Sequence, residues 1–145
     1  MKSKSKVAVK EVFDEIGEDI EYLESPMEKI QYILDMAKEF ENSEFAKKEE
    51  FKIQGCVSDA YIALTSIQEL NNKEIVTIDY YADALIIQGF LAILKQSLDN
   101  SFKEELEENI IQFKEFSNQI GLEQFLSPNR SNALHNIIEK LQLYS

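Results

Sequence analysis

Residues 51–98 read FKIQGCVSDAYIALTSIQELNNKEIVTIDYYADALIIQGFLAILKQSL, and along them the apolar period changes from that of a strand to that of a helix. From Phe51 to Ile67 the pattern favours β structure. Ala60, Ile62 and Leu64 share one parity, and Tyr61, Ala63 and Thr65 share the other. Asn71-Asn72 is a turn signal, after which Glu74–Tyr80 alternates again with Val76, Ile78 and Tyr80 on one face. From Ala82 to Leu98 the residues are apolar on nearly every side, which predicts a helix running through the core and not across the surface.

The flanks of this stretch are helical. Val12, Phe13, Ile16, Ile20 and Leu23 recur at three- and four-residue spacing, the stripe of one amphipathic helix. Ser25-Pro26-Met27-Glu28 is a helix start: Ser25 can cap, Pro26 suits the first helical position, and Glu28 sits where a capping box places its carboxylate. Ile30, Ile33, Leu34, Ala37 and Phe40 form a second stripe, so a short antiparallel helical pair is expected before a charged connection over Glu39–Glu50. After the central helix, Leu106, Ile110, Phe113, Phe116 and Ile120 make a further stripe ending near Gly121. Its acidic run, Glu104–Glu108, reads as a solvated face. Ser127-Pro128 begins a last helix with Leu134, Ile137, Ile138 and Leu141 at helical spacing. The fold class is therefore α+β, a small antiparallel sheet of about three strands packed against several helices. Residues 1–8 read as a flexible tail and 9–145 as a single domain.

Composition narrows the function. The 145 residues carry 27 Asp+Glu against 15 Lys+Arg, a formal net charge of −12. Such a field repels a phosphate backbone, which argues against nucleic acid, and against an anionic membrane surface equally. The single cysteine excludes an internal disulfide and cannot supply the thiolate set of a zinc or iron–sulfur site within one chain. MKSKSKVAVKEVF lacks the apolar core of a secretory signal, and the longest apolar run, Ala84 to Leu94, falls short of the ~20 residues a bilayer span needs. A cytoplasmic location is expected, with no metal and no bound cofactor.

Most catalytic constellations are absent: there is no Gly-rich phosphate loop, no HExxH, and one histidine among scattered Ser and Asp defines no triad. The remaining candidate is Gln54-Gly55-Cys56-Val57-Ser58. A lone cysteine is more often a small buried hydrophobe than a nucleophile. Here, however, Cys56 directly follows a glycine between two stretches of β character, which predicts a sharply turned loop at one end of the sheet.

The segment Ile53-Gln54-Gly55-Cys56-Val57-Ser58, followed by a strand carrying Tyr61, resembles the hydrophobic-x-Gly-Cys-x-Ser signature of the SufE family. Ala82-Asp83-Ala84-Leu85-Ile86-Ile87-Gln88-Gly89-Phe90 is similar to that family's Asp-Ala-x-Ile-Val-Lys-Gly-Leu helix, and residues 125–134, FLSPNRSNAL, to its Leu-Ser/Thr-Pro-x-Arg-x-x-Gly-Leu element. The resemblance covers roughly residues 20–143 in matching order. Val57, Tyr61, Gln88 and Ala133 depart from the family pattern, whereas Cys56 and Arg130 keep it.

The resemblance implies a sulfur carrier and activator rather than an independent enzyme. A SufS-like cysteine desulfurase, which uses pyridoxal phosphate, passes persulfide sulfur to Cys56, and Cys56 relays it to a SufB-like iron–sulfur scaffold or another acceptor. Arg130 is the implied stabiliser of the thiolate or persulfide, with Gln54, Gly55 and Ser58 as the supporting loop and Asp83 and Gly89 as secondary residues. His135, the sole histidine, matches no family position and reads as a helix residue. Two other readings stay open: a non-catalytic helix-rich adaptor with an incidental buried cysteine, and a hydrolase or peroxidase using Cys56 and His135. No orienting Asn/Asp motif or resolving cysteine accompanies the last.

Overall fold

The computed structural model describes residues 3–68 and 71–144. Strand β1 (Ala60–Gln68) pairs antiparallel with β2 (Glu74–Ala82), register Ala60 opposite Ala82 and Leu64 opposite Ile78. Asn72 turns the chain between them at φ 59°, a left-handed conformation that Asn tolerates. A two-residue strand, β3 (Ser101–Phe102), completes the order β1-β2-β3. The parity read from the sequence holds: Ala60, Ile62, Val76, Ile78, Tyr80 and Ala82 all face the main core. The other face buries Tyr61 and Ala63 against Ala46, Phe51 and Tyr81, so the charged connection supplies a cover for the second side of the sheet.

Helix α3 (Leu85–Leu98) is the centre of the molecule, with Phe90, Leu91, Ala92, Ile93 and Leu94 all buried. Burial of each of these side chains other than Ala92 contributes roughly 1.5–3 kcal/mol. Lys95 ties the helix to β2: its Nζ donates to the Ile78 carbonyl and lies 3.4 Å from Asp99, whose Oδ1 accepts from Ile78 N–H at 2.8 Å. Helices α1 (Lys6–Tyr22), α2 (Pro26–Met36), α4 (Leu106–Gln119), the single turn α5 (Leu122–Phe125) and α6 (Pro128–Gln142) surround it. Ser25 and Ser127 cap α2 and α6 through Oγ, accepting from Glu28 N–H at 3.1 Å and Arg130 N–H at 3.4 Å.

Four expectations need correction. Apart from residues 1 and 2, which lie outside the described residues, the tail is shorter than 1–8. Ser5 caps α1, and Lys4 pairs with Ser101 and receives Phe102 N–H on its carbonyl at 3.3 Å. Lys4 is itself partly buried, its Nζ donating to the Gln96 carbonyl at 2.6 Å, and its backbone completes the sheet edge. Secondly, β structure begins at Ala60 and not Phe51. Phe51 ends a 3-10 turn, and Lys52 makes only an isolated bridge to Tyr61. Thirdly, α1 and α2 do not form a mutual pair. Helix α2 packs chiefly on α3 and α1 on α4, where Phe13 meets Phe113 and Phe116 at ring separations of 5.9 and 5.2 Å. Fourthly, Ala82 ends β2 instead of starting the central helix, because Asn42 holds it in the extended state through two 3.1 Å hydrogen bonds. Among the described residues no helix is long and apolar enough to cross a membrane.

Candidate functional site

Residues 53–60 form a closed-necked loop. Ile53 is buried and its N–H donates to the Ala60 carbonyl at 2.8 Å, so the chain leaves the sheet and returns to it at one point. The far end is tied to the start of α3, since Asp83 N–H donates to the Asp59 carbonyl at 3.1 Å. Lys52 and Asp59 add an ion pair of 3.9 Å across the neck. Gly55 turns the loop at φ +83°, a conformation that L side chains rarely adopt. Cys56 comes next and is half-buried, while Val57 projects outward with 83% of its surface exposed.

Helix α6 lies along this loop with one stripe of side chains. Arg130 and Ala133 share a cleft of about 410 Å³ with Val57, Ser58 and the N-terminal end of α3. Asn136 comes next on the stripe: a Cβ added at Gly55 would sit 2.8 Å from its Nδ2. Lys140 follows, its Nζ donating to the Glu50 carbonyl at 2.9 Å. The spacing of three, three and four residues keeps these positions on one face. Burial pushes the Cys56 thiol above its ordinary pKa, and the Asn136 side chain works in the opposite direction.

The expected residues fall on two neighbouring features, the loop and the cleft, and Cys56 does not line the cleft that holds Arg130. Gln54, Gly55, Cys56 and Ser58 share the loop, and Arg130 reaches the cleft beside Ser58. Asp83 is exposed and touches the site through its backbone; the cap position of α3 is Ala84, with no side-chain hydrogen bond. Gly89 is a packing residue, buried against Ile33 of α2, where a Cβ would collide with the Ile33 carbonyl. His135 falls off the α6 stripe onto the opposite groove, which it lines with Lys114, Ser117 and Asn118 of α4. That placement gives no support to a Cys–His dyad. Among the described residues no three of His, Cys, Asp and Glu cluster to hold a metal ion.

The departures from the family pattern also find places. Gln88 Nε2 donates to the Ala82 carbonyl at 2.8 Å, and Tyr61 packs edge-on against Tyr81 on the far face of the sheet. Asn136 was not singled out in the sequence. The signal available was only its place on the stripe Arg130, Ala133, Asn136, Lys140, and α6 carries other polar residues along its length, among them Asn129, Ser131, Asn132, His135 and Glu139.

Comparison with known proteins agrees with this geometry. The family model for SufE, described as the Fe-S metabolism associated domain, matches residues 14–145. An uncharacterized SufE-like protein of Rhizobium meliloti (strain 1021) is 25% identical over 130 residues, 89% of this chain and 91% of that protein. An uncharacterized SufE-like protein of Synechocystis sp. is 32% identical over 91 residues, 63% of this chain and 52% of that one. SufE-like protein 1, chloroplastic/mitochondrial, of Arabidopsis thaliana is 29% identical over 96 residues, 66% of this chain and 24% of the plant protein. With nearly the whole chain matched, and with the cysteine loop and the Arg130 cleft side by side, this chain belongs to the SufE family and has a role in Fe–S metabolism.

Proposed function

We propose that this protein accepts sulfur from a cysteine desulfurase onto Cys56, stimulates that enzyme by removing its product, and relays the sulfur to an iron–sulfur scaffold. The observation that carries the reading is a single half-buried thiol on a glycine-turned loop beside an apolar cleft containing Arg130. The Cys56 thiolate attacks the outer sulfur of the desulfurase persulfide. A new S–S bond forms at Cys56, the old S–S bond breaks, and the desulfurase thiolate leaves and takes a proton from solvent. Sulfur transfer of this kind is an exchange at constant total oxidation level, so no external oxidant is required.

Only the thiolate is nucleophilic, and burial holds the Cys56 thiol above its ordinary pKa in the free protein. The resting carrier is thereby protected, since oxidation follows thiolate character and access. Activation then belongs to the docked complex. Exposed Val57 and Leu85 at the mouth of the cleft offer apolar surface for the partner. Arg130 offers a planar cation that can hold a sulfur anion. Pyridoxal phosphate belongs to the desulfurase in this reading, and a reducing cytoplasm is the compartment that keeps an unpaired thiol in use.

The test is to incubate the protein with a type II desulfurase and free cysteine and record its intact mass. Addition of one sulfur to the wild type and none to Cys56→Ser is expected; no mass increase in either would end the reading in favour of an adaptor. His135→Ala should keep most of the desulfurase stimulation, and equal loss in both variants would revive the hydrolase alternative. Arg130→Lys keeps the charge and loses the fork, so it should slow transfer while leaving desulfurase affinity nearly unchanged.

A further inference from the structure

The geometry points to Asn136 as the positioning residue of the sulfur site, its side-chain amide being the hydrogen-bond donor reserved for the Cys56 anion. The inference rests on the reading of Cys56 as the sulfur-accepting thiol. The Asn136 amide lies against Gly55 with Nδ2 nearest: a Cβ there would be 2.8 Å from Nδ2, 3.3 Å from Cγ and 3.4 Å from Oδ1. Absence of a side chain at Gly55 is thus what lets the amide come down beside the next residue, Cys56. In the resting protein Nδ2 is sealed from solvent and has no hydrogen-bond partner. A buried N–H without an acceptor is costly, and a catalytic role is one of the reasons such a group is kept in a folded protein. The only anion the proposed chemistry generates at this spot is on sulfur, first as thiolate and then as persulfide.

The donor has the right character. An amide can accept from a neutral thiol through Oδ1 and donate to a thiolate through Nδ2, so it serves both protonation states without carrying charge. Its interaction with Cys56 favours the anion and opposes the larger effect of burial. Charged groups around the loop are Lys52 and Asp59 at its neck, Glu50 and Asp83 at its ends, and Arg130, Glu139 and Lys140 on α6. All stay in place when Asn136 alone is changed.

The experiment follows alkylation of Cys56 by iodoacetamide against pH, on the isolated protein, for the wild type, Asn136→Leu and Asn136→Asp. Asn136→Leu keeps the size and removes the donor. Its midpoint should rise by about one pH unit, with about tenfold slower alkylation near neutral pH. A purely structural role predicts the opposite sign: loosening the loop hydrates the thiol, relieves the burial effect and lowers the midpoint. An unchanged or lowered midpoint overturns the proposal. If Asn136→Leu does not fold by circular dichroism, Asn136→Asp decides. It matches asparagine in size but turns an acceptor toward the sulfur, so its midpoint should rise at least as far, and no rise overturns the proposal. Sulfur uptake from the desulfurase is measured on the same samples. Normal uptake with no midpoint shift removes Asn136 and leaves the carrier reading intact, whereas a raised midpoint in Asn136→Leu beside a wild type that takes up no sulfur removes the carrier reading and keeps Asn136 as the donor.

Discussion

Helix α3 and the loop 53–60 meet at the Arg130 cleft, and they are built on opposite principles. In α3, ten of fourteen residues are buried, and contact with α2 is close enough that position 89 admits only glycine. In the loop, only Ile53 and Ala60 at the neck are fully buried, Cys56 is half-buried, and Val57 is left in solvent. The helix is a part that must not move. The loop is anchored at both ends and largely exposed between them, with Val57 left uncovered. Stability and reactivity are thereby assigned to different residues, and substitutions should separate them.

The largest effect should come from the rigid side. In Gly89→Ala the added Cβ meets the Ile33 carbonyl oxygen and lies 2.7 Å from Ile33 Cγ2 and 2.9 Å from its carbonyl carbon. Backbone has to shift, and a loss of about 3 kcal/mol is expected in urea unfolding. Stability within error of the wild type would show that α2 and α3 are free to separate there.

Next comes the joint between the two regions. Asn42 holds Ala82 with a donor and an acceptor, and Gln88 adds a third bond to the same carbonyl. Asn42→Ala should cost about 2 kcal/mol, because it leaves the Ala82 N–H unpaired. Hydrogen exchange at Ala82 and Asp83 should rise while that of Leu91–Leu94 changes only by the global amount. Uniform exchange throughout would mean that no local joint exists.

How far the sequence disclosed each region follows from the same contrast. The α3 pattern was legible because burial on every side writes itself into consecutive residues, and the β1 and β2 parity was legible because one sheet face meets the core. The strand Ser101–Phe102 was not, since two residues carry no period and the pairing depends on Lys4 and Val76 from elsewhere in the chain. Partner choice between helices was equally hidden: the stripe at Phe13 says that something apolar covers it, and only the fold says that it is Phe113 and Phe116. At the site, Cys56 and Arg130 stood out through motifs, whereas Asn136 acts through a tertiary contact with Gly55 that no local pattern announces. Gly89, a secondary residue on the resemblance, is accounted for by its contact with Ile33, because a glycine in a motif can be required by packing alone.

A smaller effect is expected at the tip of the loop. Val57→Asp changes a side chain with 83% of its surface exposed, so stability should stay within about 0.5 kcal/mol of the wild type. Desulfurase affinity should fall several-fold, on the order of 1 kcal/mol, if the loop docks apolar side first. Isothermal titration beside urea unfolding measures both, and a change in stability with unaltered affinity would assign Val57 to the scaffold instead.

The smallest effect is in the pH dependence of stability, and it distinguishes the two regions by where each titrates. Burial raises the Cys56 thiol above its ordinary value in the folded state. A raised folded value means that the contribution is fully present below the unfolded thiol value of about 8.5 and is lost as pH climbs from there through the folded value. Tyr80, on the core face of β2, is pushed up to about 12 by burial, so its contribution is lost only above the ordinary tyrosine value of about 10. Cys56→Ala removes the first window and leaves the second. The stability difference between wild type and Cys56→Ala should therefore be flat near neutrality and shift against the wild type above about pH 8.5, before the tyrosine window opens. Because the thiol is only half-buried, solvent screens much of its shift and the divergence should be slight. Parallel stability curves up to about pH 10 would show that the resting loop already hydrates its sulfur, and would move the protection of the thiol from the fold to the partner.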